Sequence, residues 1–320
     1  MSVGPPVVAW YDRVIGSMDA IWRVVGEGLV RLASAKLGYV AGALALYIVS
    51  LFISGFRWRG FIRALGGHVG VLRATLATLG GIAVGNLVPS SRLGGEAVRI
   101  TLARDAGHVS WRQATVAAGW DRLSEIPPIL VLILMSGVAV THLIPAWPRS
   151  AVVALMIAIS VLLVGGGAAA RRWLGPRWSR WREALAADRV GGSVMAAGVA
   201  LSSAVWLQDV ARLACATRAF GLSLSLTQLA ALSVIAMLGG LVPSAGGVGP
   251  VEGGLLAGLI SFGADLPTAA AVTAVERAIS LGFSTASGAA VVGIVGGRSL
   301  WSAARSGKIA ERTVASTSHS

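Results

Sequence analysis

The feature that most restricts this chain is a series of long apolar blocks, interrupted twice by the same kind of helix-breaking, charged segment. An apolar block of about 18 residues or more is a candidate membrane span, because ~20 residues of helix cross the hydrocarbon layer. The first interruption reads Leu87-Val88-Pro89-Ser90-Ser91-Arg92-Leu93-Gly94-Gly95-Glu96 and is followed by Trp120-Asp121-Arg122. The second reads Leu241-Val242-Pro243-Ser244-Ala245-Gly246-Gly247-Val248-Gly249-Pro250-Val251-Glu252 and is followed, at nearly the same spacing, by Glu276-Arg277.

An unpaired backbone N–H or C=O in hydrocarbon costs several kcal/mol, so irregular backbone survives at membrane depth only where protein buries it or water reaches it. A Pro-Ser pair followed within three residues by Gly-Gly is not expected to hold a regular helix. The simplest expectation is a re-entrant loop: a span ends near Pro89 or Pro243, the chain turns, and a short helix returns. Gly94-Gly95 and Gly246-Gly247 are expected to supply positive φ and close backbone approach. Glu96 and Glu252 fall near the start of the returning helix, where the dipole favours a carboxylate. Neighbouring residues on a helix do not face each other. Asp121-Arg122 and Glu276-Arg277 are therefore not internal pairs, and the expected partners are Glu96 with Arg122 and Glu252 with Arg277. Two such segments in corresponding positions point to a transporter built from repeats, with a central substrate site.

Composition agrees with the membrane reading. Hydrophobic residues make up 55% and charged residues 13% of the 320, and the mean hydropathy is +0.75. A membrane barrel needs short alternating strands, which the pattern lacks. The net charge of +13 comes mainly from arginines in the loops between apolar blocks. That is the positive-inside distribution, and it favours anionic lipid heads over nucleic acid as partners. The single cysteine, Cys215, excludes an intramolecular disulfide and a thiolate-rich metal site, and reads as a small apolar residue. None of the four histidines has a neighbour at metal-ligand spacing. No nucleotide-binding loop and no nucleophile elbow occur, so neither a cofactor nor a catalytic residue is expected. No cleavable signal peptide is expected at the N-terminus.

Along the chain, residues 8–36 have apolar positions at helical spacing and read as an amphipathic interfacial helix. Residues 37–56 form the first clear span, with Arg57-Trp58-Arg59 as its interfacial anchor. A second span covers 69–88. Residues 90–125 are too charged for a lipid-facing helix; Glu96 and Arg99 share one face, and Asp121, Arg122 and Glu125 cluster. Pro127-Pro128 is expected to open a further span over 126–144. Another span covers 150–167, and a basic, Trp-rich loop follows over 171–182. Apolar stretches at 190–220, 227–242 and 267–297 complete the set. Asp209 and Arg212 are expected to neutralise each other in the first of these. The resulting domain plan is an amphipathic segment 1–36, a transmembrane domain 37–297 with halves of about 37–167 and 190–297, and a basic tail 298–320.

At these motifs the chain resembles the lysylphosphatidylglycerol synthase transmembrane-region family, also called flippase-like domain proteins. The residues that carry the resemblance are Arg57-Trp58, Asn86-Leu87-Val88-Pro89-Ser90, Gly94-Gly95-Glu96, Arg99, Asp121-Arg122 and Glu125. In the second half they are the run from Pro243 to Gly254 and Glu276-Arg277. The resemblance spans about residues 37–297. It implies an integral membrane protein that moves lipids between leaflets. The best-known members join this domain to a soluble domain that charges phosphatidylglycerol with lysine. The 320 residues are expected to leave no room for that domain, so aminoacyl transfer is not expected.

The expected fold is all-α, a polytopic membrane helix bundle with internal duplication and two re-entrant helix-loop segments, located in the cell membrane as a multi-pass protein. The expected function is translocation of a polar-headed phospholipid or lipid-linked intermediate. Its binding site draws on Asn86, Pro89, Arg92, Gly94, Gly95, Glu96, Arg99, Asp121, Arg122 and Glu125, and on Pro243, Gly246, Gly247, Gly249, Glu252, Glu276 and Arg277. The arginines suit a phosphate or carboxylate head. The partners are anionic or phosphate-headed membrane lipids, with no nucleic acid, and homo-oligomers stay open. The alternative is a non-catalytic membrane accessory protein of lipid or lipid-linked glycan metabolism. An intramembrane lipid-modifying enzyme ranks below both.

Overall fold

The structure is a computed structural model that describes Glu27 and residues 30–88, 91–104, 109–143 and 188–294. The amphipathic segment up to residue 26, the span at 150–167, the basic loop at 171–182 and the tail at 298–320 lie outside the described residues. Every regular element among the described residues is helical.

Helix α1 spans Leu37–Ala64. It stops where Gly66 takes φ of 79°, and the Gly66 and Gly67 amides donate back to the Arg63 and Ile62 carbonyls. A left-handed glycine just past a helix end satisfies carbonyls that the helix leaves free. Helices α2 (Val71–Leu87) and α3 (Ser91–Arg104) form an antiparallel hairpin. Helix α4 runs over Trp111–Leu143, and α5 over Gly192–Arg218. Helices α6 (Leu226–Gly239) and α7 (Pro250–Ser261) form the second hairpin. Ser225 and Gln228 cap α6 reciprocally. Helix α8, Leu266–Arg277, continues through a π-helical turn at Ala278–Phe283 into one helix described as far as Ile294.

Three of these helices are long and apolar enough to cross a membrane: α1, α5 and the Leu266–Ile294 helix. Helices α1 and α5 pack antiparallel. Gly42 lies beside Cys215 at one end, and the Phe61 ring occupies the space a Cβ on Gly198 would need at the other. The core is divided. Trp58, Phe61, Ile62, Ala74, Ile100 and Ala117 pack in the first half. Leu213, Leu229, Leu232, Leu255, Leu259 and Val272 pack in the second. Tyr47, Leu51, Leu79, Val275 and Ile279 join the two.

Three expectations are corrected. Pro127 and Pro128 lie inside α4 and do not open it. Proline inside a membrane helix is tolerated when neighbouring helices and hydroxyls satisfy the backbone it disrupts. Gly94 and Gly95 are helical and carry no turn. They serve close approach: a Cβ on Gly95 would lie 2.5 Å from the Gly81 carbonyl oxygen. Arg57-Trp58 is no interfacial anchor, because α1 continues past it and both side chains are buried, at 3% and 0% exposure.

Candidate functional site

The charged residues of the first half converge on α4. Asp121 is fully buried and accepts hydrogen bonds from Arg57 Nε at 2.6 Å and Arg99 Nη1 at 2.9 Å. Arg57 also donates to Glu125 Oε1 at 2.6 Å and to Ser202 Oγ on α5 at 2.7 Å. Arg99 donates to Thr78 Oγ1 and lies over the Trp58 ring, 4.1 Å from its centroid, a favourable place for a guanidinium. Arg122 donates Nε to Glu96 Oε1 at 3.0 Å and reaches both oxygens of Glu125. Three arginines thus meet three carboxylates. Buried ions need this degree of compensation, because removing one partner strands the others in low dielectric.

The second half also pairs arginines with carboxylates, with fewer cations. Arg212 on α5 contacts Glu276 on α8 and bonds Asp209 at 3.1 Å. Arg277 donates to Glu252 at 2.6 Å and to the Gly246 carbonyl at 2.6 Å. Glu252 also accepts from the Gly249 amide at 2.7 Å, which caps α7. Gly246, Gly247 and Gly249 have φ of 60°, 71° and 93°, a region L side chains enter only under strain. The tip of this hairpin meets α2. A Cβ on Gly246 would lie 3.2 Å from the Asn86 carbonyl oxygen, while the Asn86 side-chain amide donates to Ser284 and Thr285 beyond the π turn.

Between the hairpins lies a cavity of about 400 Å³. Thr78, Gly81, Ile82, Asn86, Gly95, Glu96 and Arg99 line it from the first hairpin, and Arg122, Glu125 and Ile129 from α4. Val205, Trp206 and Asp209 of α5 and Met237, Gly240, Gly246 and Gly247 of the second hairpin close it. Two buried polar atoms of wall residues, Arg99 Nη2 and Glu96 Oε2, have no hydrogen-bond partner among the described residues, Oε2 lying 3.6 Å from Arg99 Nη1. Buried polar atoms left without a partner call for one, such as a water, an ion or a ligand.

Residues 15–288 match the lysylphosphatidylglycerol synthase TM region family. The chain belongs to that family. It is 27% identical to a UPF0104 membrane protein of Methanothermobacter thermautotrophicus, over 87% of this chain and 93% of that protein. It is also 27% identical to the UPF0104 membrane protein PH1989 of Pyrococcus horikoshii, over 36% of this chain and 35% of the relative. Family and apolar helices together make this an integral membrane protein with a lipid-related role.

Of the residues singled out in the sequence of this family member, Asn86, Gly95, Glu96, Arg99, Arg122, Glu125, Gly246 and Gly247 share the cavity wall. Asp121, Glu252, Glu276 and Arg277 do not line the cavity: Glu276 pairs with Arg212 on α5, and Arg277 holds Glu252 and the carbonyl of the wall residue Gly246. Gly94 is in α3, and Pro243 and Gly249 belong to the segments flanking the second hairpin tip. Pro89 and the Arg92 side chain lie outside what is described. Sequence reasoning missed Arg57, Arg212 and Asp209 as members of the charged site. One signal was available: Arg57 and Asp121, and Arg212 and Glu276, are both 64 residues apart.

Proposed function

We propose that this chain is a multi-pass lipid translocase of the cell membrane, in which two re-entrant hairpins related by internal duplication enclose the site for a polar lipid head. The carrying observation is the charged cavity between Gly-rich hairpins inside an apolar bundle. Its volume falls in the usual range of small-ligand pockets, ~300–1,000 Å³. The free Arg99 Nη2 suits a phosphate oxygen, since guanidinium bonds to phosphate are charge-assisted and directional. Glu96, which pairs with Arg99 and Arg122 at the wall, is the acceptor for a hydroxyl or ammonium on the same head. Acyl tails stay outside, against exposed apolar residues such as Phe52, Phe56, Val131 and Leu207.

Duplication is supported by repeated spacing. The Arg57–Asp121 and Arg212–Glu276 contacts span 64 residues each, and Glu96–Arg122 and Glu252–Arg277 span 26 and 25. Re-entrance is supported by the lengths of the hairpin helices: α3 has 14 residues and α7 has 12. At ~1.5 Å per residue neither crosses a hydrocarbon layer of ~30 Å. In this reading Asn86, Gly95, Glu96, Arg99, Arg122, Glu125, Gly246 and Gly247 contact the head. Asp121 and Glu276 support them from within helices, and Pro243, Gly249, Glu252 and Arg277 hold the second hairpin tip. The substrate is a phosphate-headed phospholipid or lipid-linked intermediate.

The test is reconstitution of the purified chain into phosphatidylethanolamine/phosphatidylglycerol vesicles carrying a fluorescent phosphate-headed lipid, with a membrane-impermeant quencher outside. Protein-dependent access of inner-leaflet lipid is expected, and Arg99→Gln should slow it about tenfold, the loss of ~1.4 kcal/mol from one charge-assisted contact. Rates equal to those of empty vesicles for every phosphate-headed lipid would overturn the reading.

A further inference from the structure

The charged wall of the cavity offers a ligand more acceptors than donors. Arg122 commits Nε, Nη1 and Nη2 to Glu96 and Glu125. Arg99 commits Nε to Thr78 and Nη1 to Asp121. That leaves Arg99 Nη2, on a side chain 4% exposed, without a partner among the described residues. Acceptors remain on three helices. Glu96 Oε2 on α3 has no hydrogen bond, with Arg99 Nη1 3.6 Å away. Asp209 on α5 gives Oδ1 to Arg212, which leaves Oδ2. Asn86 at the end of α2 commits its amide nitrogen to Ser284 and Thr285, which leaves its side-chain carbonyl oxygen.

An aromatic ring stands beside these acceptors. Trp206 lies three residues before Asp209, on the same side of α5, and both line the cavity. Packing beside an arginine does not itself demand an indole and a carboxylate. Trp206 and Asp209 stand six and three residues ahead of Arg212; the same offsets ahead of Arg57 hold Leu51 and Ser54.

Three kinds of head can be compared with this wall. A phosphodiester suits Arg99 Nη2 but has no hydrogen to give Glu96, Asp209 or Asn86. An ammonium has three donors, but they radiate from one atom, whereas the acceptors come from three helices. A sugar carries hydroxyls around its rim, each a donor as well as an acceptor, and has an apolar C–H face for an aromatic ring. We propose that the cavity is a sugar-phosphate site: it takes a lipid whose phosphate carries a single hexose. The phosphate bonds Arg99 Nη2, hydroxyls donate to Glu96, Asp209 and Asn86, and one ring face packs on Trp206. A head without the hydroxyls leaves these acceptors unpaired, and a site built to bond hydroxyls rejects such analogues strongly. The lipid as carrier of the sugar rests on the translocase reading; the sugar site rests on the wall alone.

Isothermal titration of the purified full chain in detergent tests the site. The probes are decyl phosphodiesters of glucose, galactose and mannose, with decyl methyl phosphate as the match that lacks a sugar. At least one sugar diester should bind about tenfold tighter than the methyl diester. Trp206→Leu should cut that ratio roughly fivefold, and Trp206→Phe should restore part of it. A merely structural role for Trp206 would weaken both ligands alike and leave the ratio unmoved. Asp209→Asn keeps the side chain's shape and should lower the same ratio, which keeps the site testable if Trp206→Leu does not fold. Equal affinity for the methyl diester and all three sugar diesters overturns the site, as does a ratio unmoved by both Trp206→Leu and Asp209→Asn. Tighter binding of decyl phosphoethanolamine than of any sugar diester overturns it in favour of an ammonium. The free hexose 1-phosphate binding as tightly as its decyl diester would support the sugar site and overturn the lipid as its carrier. A sugar diester bound in detergent, with no lipid moved in the vesicles described above, would support the sugar site while sinking the translocase reading.

Discussion

The two halves place an arginine and a carboxylate at matching positions, then finish them differently. In the first, Arg57 and Arg99 both bond Asp121, Glu125 completes Arg57, and Arg122 joins Glu96 to Glu125. In the second, Leu255 stands three residues after Glu252 where Arg99 follows Glu96, and Ser280 stands three after Arg277 where Glu125 follows Arg122. Leu255 is buried in the apolar core of its half. The first half is therefore charge-balanced and opens an arginine and a carboxylate to the cavity, whereas the second is apolar around its hairpin and acidic at Arg212. One half gathers a balanced set of charges at the cavity, and the other locks a glycine-rich loop through Arg277.

The largest expected effect tests the balance. Asp121→Ala takes the shared buried anion from both Arg57 and Arg99, leaving Glu125 to the one and Glu96 to the other, and should cost ~3–5 kcal/mol, the usual loss when one partner of a buried ion group is removed. Glu276→Ala leaves Arg212 with Asp209 and should cost less. Thermal unfolding in detergent compares them, and equal losses would break the contrast between the halves. Next come the arginines at the hairpins. Arg277 is 14% exposed and holds both Glu252 and the Gly246 carbonyl, so Arg277→Ala should cost ~1.5–3 kcal/mol. The Arg122 side chain is 54% exposed, so Arg122→Ala should cost ~1 kcal/mol or less in the same melt while slowing lipid movement more. The reverse order in both measurements would reassign the two roles.

The glycines sharpen the contrast further. Gly95→Ala drives a Cβ into backbone and should cost ~1–3 kcal/mol. Gly249→Ala meets open space and should cost only the left-handed backbone penalty, ~1–2 kcal/mol. Denaturant or thermal titration of the two variants separates close approach from turn conformation. Smallest is Asn86→Ala, which removes the link from α2 to Ser284 and Thr285 and should cost ~1 kcal/mol. A larger loss there would mean that the seam between the halves carries more stability than the ion pairs.

The pairs Glu96–Arg122 and Glu252–Arg277 were legible in the sequence, because a repeated spacing between opposite charges implies a repeated contact. Arg57 was misread because tryptophan and arginine at the end of an apolar block are also what an interface demands. Local pattern cannot tell an anchor at the lipid surface from a buried cation whose partner lies 64 residues away. Pro127-Pro128 was misread because proline normally marks a helix start, while packing against α5 and α6 carries α4 straight through it. Gly94-Gly95 and Gly246-Gly247 look alike as dipeptides. Only the neighbours decide that one pair lies inside α3, where Gly95 packs against Gly81, and the other turns a hairpin.

By itself, the sequence determined the class of solvent, the helical architecture, the family and the two repeated pairs, Glu96–Arg122 and Glu252–Arg277. Each follows from hydropathy, from backbone chemistry in lipid and from spacing. Tertiary structure decided which charges share the cavity, which lie behind it, and that Arg212 faces two carboxylates. Those outcomes depend on which helix faces meet, and side chains distant in sequence report on one another only once the helices are packed.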